Sequence, residues 1–186
     1  GWSATSGGSL LSSNTITATS NATYYAVWKT PTCSATNATC GTISITNNTP
    51  SVTIKCNTGY SKSGGTNTIT SFTVTGSAGA TSLSGSCSAR TYTVTFNKNG
   101  GSGEMSSQTF TYDVAQNLTT NAFTRTGYTL KNWNTAANGT GTTYEDKESI
   151  SKLLQDTTLY AQWTANTYTV TFNKNGGSGE MSSQTF

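Results

Sequence analysis

Thr91-Tyr92-Thr93-Val94-Thr95-Phe96-Asn97-Lys98-Asn99-Gly100-Gly101 alternates polar and apolar side chains and then closes on residues that tolerate positive φ. Tyr92, Val94 and Phe96 on one side against Thr93 and Thr95 on the other is the pattern of a half-buried strand. Asn97 to Gly101 supplies the turn. This stretch opens a twenty-residue run, Thr91 to Phe110, that recurs without a change from Thr167 to Phe186, an offset of 167 − 91 = 76 residues. A fixed period of this kind marks a modular array. The identity extends to Asn97, Lys98 and Ser102, which are expected to face solvent. Packing does not enforce such positions, so the copies point to recent duplication. The sequence is therefore expected to be a window cut from a longer repetitive protein.

Working outward, residues 91–166 make one complete repeat. Gln108 to Val114 reads as a second strand, Gly127 to Trp133 as a third, Asn138 to Gly141 as a loop, and Thr157 to Trp163 as a final strand with Leu159, Ala161 and Trp163 on one face. Between the last two strands, Ile150, Leu153 and Leu154 fall at i, i+3, i+4, and Glu145, Asp146 and Glu148 stand at the start of that stretch. An apolar stripe behind an acidic first turn predicts a short helix over 145–154. The expected fold class is mostly β, with a small α+β repeat in tandem.

The first thirty residues look like the closing part of a diverged copy. Gly1-Trp2-Ser3 parallels Asn132-Trp133-Asn134, and Tyr25-Ala26-Val27-Trp28 parallels Tyr160-Ala161-Gln162-Trp163. The domain organisation read from the sequence is thus 1–30 as the end of a truncated repeat, 31–90 as a cysteine-containing β module, 91–166 as the complete repeat and 167–186 as the start of the next.

The residues Gly127, Tyr128, Leu130 and Trp133, followed by Leu159, Tyr160, Ala161 and Trp163, resemble the signature of the internalin B-type B repeats, also called Listeria–Bacteroides repeats. The resemblance covers 91–166, the tail 167–186 and, more loosely, 1–30. It implies a β-grasp-like fold in bacterial surface proteins, used as stalks or adhesive modules, and it brings no catalytic residues. The repeat-core signature is then Tyr92, Val94, Phe96, Gly127, Tyr128, Leu130, Trp133, Leu159, Tyr160 and Trp163. The aromatics among them, with Trp2 and Trp28 by correspondence, are expected in cores rather than stacked on sugars.

All four cysteines, Cys33, Cys40, Cys56 and Cys87, lie in 31–90. Their spacing lacks the close ligand pairs of zinc sites and the C-x-x-C of redox motifs. An even count in a Thr/Ser-rich module of about sixty residues favours two disulfides, because so small a core often needs staples. Three connectivities remain open. Val52 to Tyr60 is faintly similar to a strand of sushi-type modules. Ser71 to Thr75 reads as another strand, and Gly76 to Ala80 and Ser82 to Ser86 as loops.

Only 9% of residues are charged and the net charge is +3. Lys29, Lys55, Lys62 and Arg90 give the first ninety residues an excess of positive charge, but they are scattered singly. A nucleic-acid footprint needs a clustered basic face, so no nucleic-acid partner is expected. No apolar run approaches the ~20 residues that span a bilayer, and no membrane insertion is expected within this segment. The chain has no His, which removes histidine-dependent triads and general bases. The acidic cluster Glu145, Asp146 and Glu148 lacks the ligand ladder of an EF-hand. Asn99 to Gly103 is Gly-rich but lacks the Gly-Lys-Ser/Thr of a phosphate loop.

These observations lead to a non-enzymatic segment of a bacterial cell-surface or secreted protein, acting as a stalk or adhesion module, with no cofactor and no metal. The expected partners are a host-cell protein or surface glycan and neighbouring repeats of the same chain. The alternative is direct glycan or protein binding centred on 31–90.

Overall fold

The computed structural model describes residues 2–3, 6, 20–23, 25–26 and 30–186. Trp28 lies outside the described residues, and of Trp2 only the backbone is described. Among the described residues the chain forms strands and no helix. In chain order they begin with β1 (Trp2–Ser3), β2 (Tyr25–Ala26), β3 (Thr32–Thr36), β4 (Ala38–Thr46), β5 (Thr49–Cys56) and β6 (Tyr60–Ser61). There follow β7 (Ser71–Thr75), β8 (Ser82–Ser86), β9 (Ser88–Ala89), β10 (Thr91–Asn97), β11 (Gln108–Thr111) and β12 (Gln116–Asn117). The last are β13 (Tyr128–Asn134), β14 (Thr143–Tyr144), β15 (Ser149–Ile150), β16 (Thr157–Ala165), β17 (Thr169–Val170) and β18 (Gln184–Thr185).

Two compact units result: Gly1–Asn57 with Ile69–Cys87, and Thr58–Thr68 with Ser88–Phe186. In the first, β4, β5 and β7 form an antiparallel sheet, and β3 pairs in parallel with β8. Alternation along β5 buries Val52, Ile54 and Cys56, and Leu83 of β8 and Cys87 just after it are buried as well. Ser82 to Ser86 is therefore a strand, where its small polar residues suggested a loop. The reason is tertiary. Gly85 lets the backbone approach Ile54 so closely that an added Cβ would stand 3.0 Å from Ile54 Cγ1, and β3 supplies the ladder partners that local propensity does not predict. Cys33 is bonded to Cys40 and Cys56 to Cys87, which settles the connectivity.

In the second unit, five strands lie in the order β11-β10-β16-β13-β14. The β10–β16 pair is parallel and the others are antiparallel. Tyr92, Val94, Phe96, Phe110, Trp133, Leu159 and Ala161 project to one side and bury against Leu118, Phe123, Ile150 and Leu153. Apolar residues on alternate positions of four strands thus share a single core, as the strand patterns predict.

The expected helix over 145–154 does not form. Lys147 has φ of 64°, a left-handed conformation that an interior helical residue does not adopt. Glu148 N–H instead closes a turn on the Glu145 carbonyl, and Ser149–Ile150 pairs with Gln116–Asn117. Ile150 and Leu153 are buried but Leu154 is exposed, so the apparent helical stripe is not one face.

Candidate functional site

The second unit holds all the residues of the repeat-core signature. What its polar side chains build is a set of ties around the parallel pair β10–β16. Val94 lies opposite Thr157 and Asn97 opposite Tyr160. Beyond one end of this register, Thr93 N–H donates to Asp156 Oδ1 at 2.8 Å. Beyond the other, Asn99 Nδ2 donates to the Ala161 carbonyl at 2.9 Å and Trp163 Nε1 to the Lys98 carbonyl at 3.0 Å. The Asn97–Gly101 turn is shaped for this. Asn99 and Gly100 both have positive φ, and Asn99 N–H donates to Asn97 Oδ1. Gly101 sits so close to the Trp163 ring that a Cβ would stand 2.8 Å from it. The Gly-rich stretch is thus a seat for an indole.

A second polar knot holds the loop 135–143. Asn134 is 1% exposed, and all its polar atoms are satisfied. Nδ2 donates to the carbonyls of Gly139 and Gly141 and to Thr143 Oγ1, while Oδ1 accepts from the backbone N–H of Ala136 and Gly141. A buried amide so fully bonded fixes one loop conformation. The sequence reading did not single out Asn134 among the many asparagines. Its position at the end of β13, directly after a buried tryptophan, was the available signal.

The acidic cluster is divided among structural tasks. Asp146 Oδ1 accepts from Asn121 N–H at 2.9 Å and from the Trp133 indole at 3.3 Å, and Glu148 Oε2 accepts from Glu145 N–H. Trp133 is fully buried and meets Phe96 and Phe123 edge-on. Among the described residues no three Cys, Asp or Glu side chains are grouped to hold a metal ion.

The remaining signature residues separate by depth. Tyr92, Val94, Phe96, Trp133 and Leu159 are buried, while Gly127, Leu130, Tyr160 and Trp163 are half-buried. Tyr128 departs from the core expectation. It is 37% exposed, with the Arg125 guanidinium 4.0 Å above its ring. Gly127, at φ of 77°, turns the chain just before it, and the phenol emerges at the surface under a cation.

The segment Thr58–Thr68 adds a strap that sequence reasoning missed. Tyr60–Ser61 pairs with Ser88–Ala89, Gly65 bridges Arg90, and Thr91 N–H donates to the Gly65 carbonyl. Tyr60 meets Tyr112 edge-on and donates through its hydroxyl to Asp113 Oδ2 at 3.2 Å. Desolvation, then the negative Asp113, holds the Tyr60 phenol above its ordinary pKa. Asp113 also faces Lys152 Nζ at 3.9 Å. The bases counted together in residues 1–90 do not all belong to one unit. Lys29 lies outside the described residues, Lys55 belongs to the first unit, and Lys62 and Arg90 belong to the second. Arg90 lies over the Tyr92 ring at 5.1 Å.

Residues 92–162 match the Listeria-Bacteroides repeat domain. The buried core residues of the sheet, from Tyr92 to Ala161, fall within this match. A protein of Evansella cellulosilytica named "Putative Gly-rich membrane protein" is 46% identical over 52 residues, covering 28% of this chain. The match spans 6% of that relative's length.

Proposed function

We propose that this chain is part of an exported bacterial repeat protein and serves, without catalysis, as a stalk or adhesion module at the cell surface. The observation that carries the reading is a Listeria-Bacteroides repeat whose opening residues, 91–110, occur again unchanged at 167–186. In a tandem array each module folds with few contacts beyond its neighbours, so copy number sets reach. Two disulfides favour an oxidising compartment. The name of the Evansella cellulosilytica relative agrees with an envelope setting. The internalin B-type and β-grasp-like readings draw support from the mixed sheet with its parallel pair at the centre.

The partners fitting this role are neighbouring repeats and a host protein or surface glycan. Direct anionic-glycan binding through 31–90 is the lesser reading, because its bases divide between two units. The test is antibody labelling of residues 91–166 on intact cells of the producing bacterium, with and without surface proteolysis. Labelling that proteolysis removes is expected. Protein found only after lysis overturns the surface role.

A further inference from the structure

We infer that both units are built to resist tension along the chain, and that the disulfides limit how far the first can extend once it yields. This deepens the stalk reading and rests on it for its biological setting, but its physical content is independent. In the repeat, tension enters at the start of β10 and leaves at the end of β16. These strands are adjacent and parallel. Pulling their far ends apart slides one along the other, so the ladder bonds are loaded together rather than one at a time. Parallel bonds are evenly spaced along such a pair. The three ties Thr93–Asp156, Asn99–Ala161 and Trp163–Lys98 cross the same seam and extend it beyond the registered residues at both ends. Val94, Phe96, Leu159 and Ala161 close one face of the seam against water, which strengthens its hydrogen bonds.

The first unit repeats the device with unrelated residues. Its strands β3 and β8 are also parallel, with Thr32 opposite Ser82 and Thr36 opposite Ser86. Thr32 N–H donates to the Thr81 carbonyl at one end of the seam and Cys87 N–H to the Thr36 carbonyl at the other. Here a second element follows. Of the 87 − 33 = 54 residue steps from Cys33 to Cys87, the disulfides bridge 7 and 31, leaving 54 − 7 − 31 = 16 free to extend. At roughly 3.3–3.6 Å per residue the oxidised path gains on the order of 55 Å from those steps, against about 185 Å for the reduced chain.

Single-molecule force spectroscopy on the full 186-residue chain, held through peptide tags, tests both statements. Forced unfolding reads the unfolding barrier along the pulled direction. Pulled from its two ends, the repeat is expected to yield at several-fold higher force than when pulled from the N-terminus and a tag at exposed Ala115, because Thr91 and Thr111 lie side by side at the open end of the β10–β11 hairpin and that hairpin unzips. Asn99→Ala with Asp156→Ala should lower the end-to-end force and leave the unzipping force unchanged. Equal force in both directions overturns the clamp. A reductant should lengthen the extension released between Cys33 and Cys87 about threefold, a gain that includes the Thr58–Thr68 strap leaving the second unit. An unchanged extension overturns the stop. Because these readouts do not depend on cellular location, a protein that stays inside the cell yet resists shear defeats the stalk reading alone. Surface labelling without directional resistance defeats this inference alone.

Discussion

The indole Nε1 of Trp163 donates to the carbonyl oxygen of Lys98 at 3.0 Å. One bond thus joins the last strand of the repeat to the turn that follows its first. It also explains why Lys98-Asn99-Gly100-Gly101 cannot be an arbitrary turn. The carbonyl must point inward, and Gly101 must leave room for the ring. Trp163→Phe keeps most of the apolar contact and removes the donor. The expected loss is about 0.5–1.5 kcal/mol, read as a shift of the denaturation midpoint. A loss several times larger would mean the ring, not the bond, carries the effect.

A matched pair of substitutions separates sequence from context. Tyr92 is 5% exposed and its counterpart Tyr168 59%, and Phe110 is 2% exposed and its counterpart Phe186 69%. Phe96 is buried while its counterpart Phe172 is exposed. Phe96→Ala should cost about 3–5 kcal/mol, since it removes a ring packed on Trp133. In the 186-residue chain, Phe172→Ala, in an identical local sequence, should stay within about 0.5 kcal/mol. Equal effects in urea unfolding would contradict the burial difference.

The two disulfides should differ in worth. Loop-closure entropy predicts about 4 kcal/mol for the Cys56–Cys87 loop and about 2 kcal/mol for the shorter Cys33–Cys40 loop. Paired Cys→Ser variants, compared by unfolding of the first unit, test the order. The reverse order would indicate that local geometry outweighs chain entropy.

The Tyr60–Asp113 contact predicts an alkaline limit. The folded phenol titrates above its unfolded value near 10. Its contribution is therefore fully present below about pH 10 and is lost as pH rises through the folded value, when a phenolate would face the Asp113 carboxylate. Tyr60→Phe should flatten the fall of the repeat's stability across that range. A profile unchanged by the substitution would remove Tyr60 from the account.

Much of the repeat was legible from period-two alternation. Tyr92, Val94 and Phe96, then Leu159 and Ala161, face the core as their spacing requires, because side chains on a strand can point only to one face or the other. The segment 145–154 was misread because a short apolar spacing of i, i+3, i+4 does not by itself exclude a turn followed by a strand. There the side chain of Asp146, drawn to the Trp133 indole and Asn121, and the positive φ of Lys147 decide the conformation. Ser82 to Ser86 was misread because its partner strand lies some fifty residues away. The amino-acid sequence alone determined the repeat, the strand faces and the presence of four cysteines, all properties of local pattern and count. Only the tertiary structure decided which cysteines pair, which strand lies beside β10, where Tyr60 docks, and why Asn134 among so many asparagines is buried. Those depend on the approach of residues far apart in the chain.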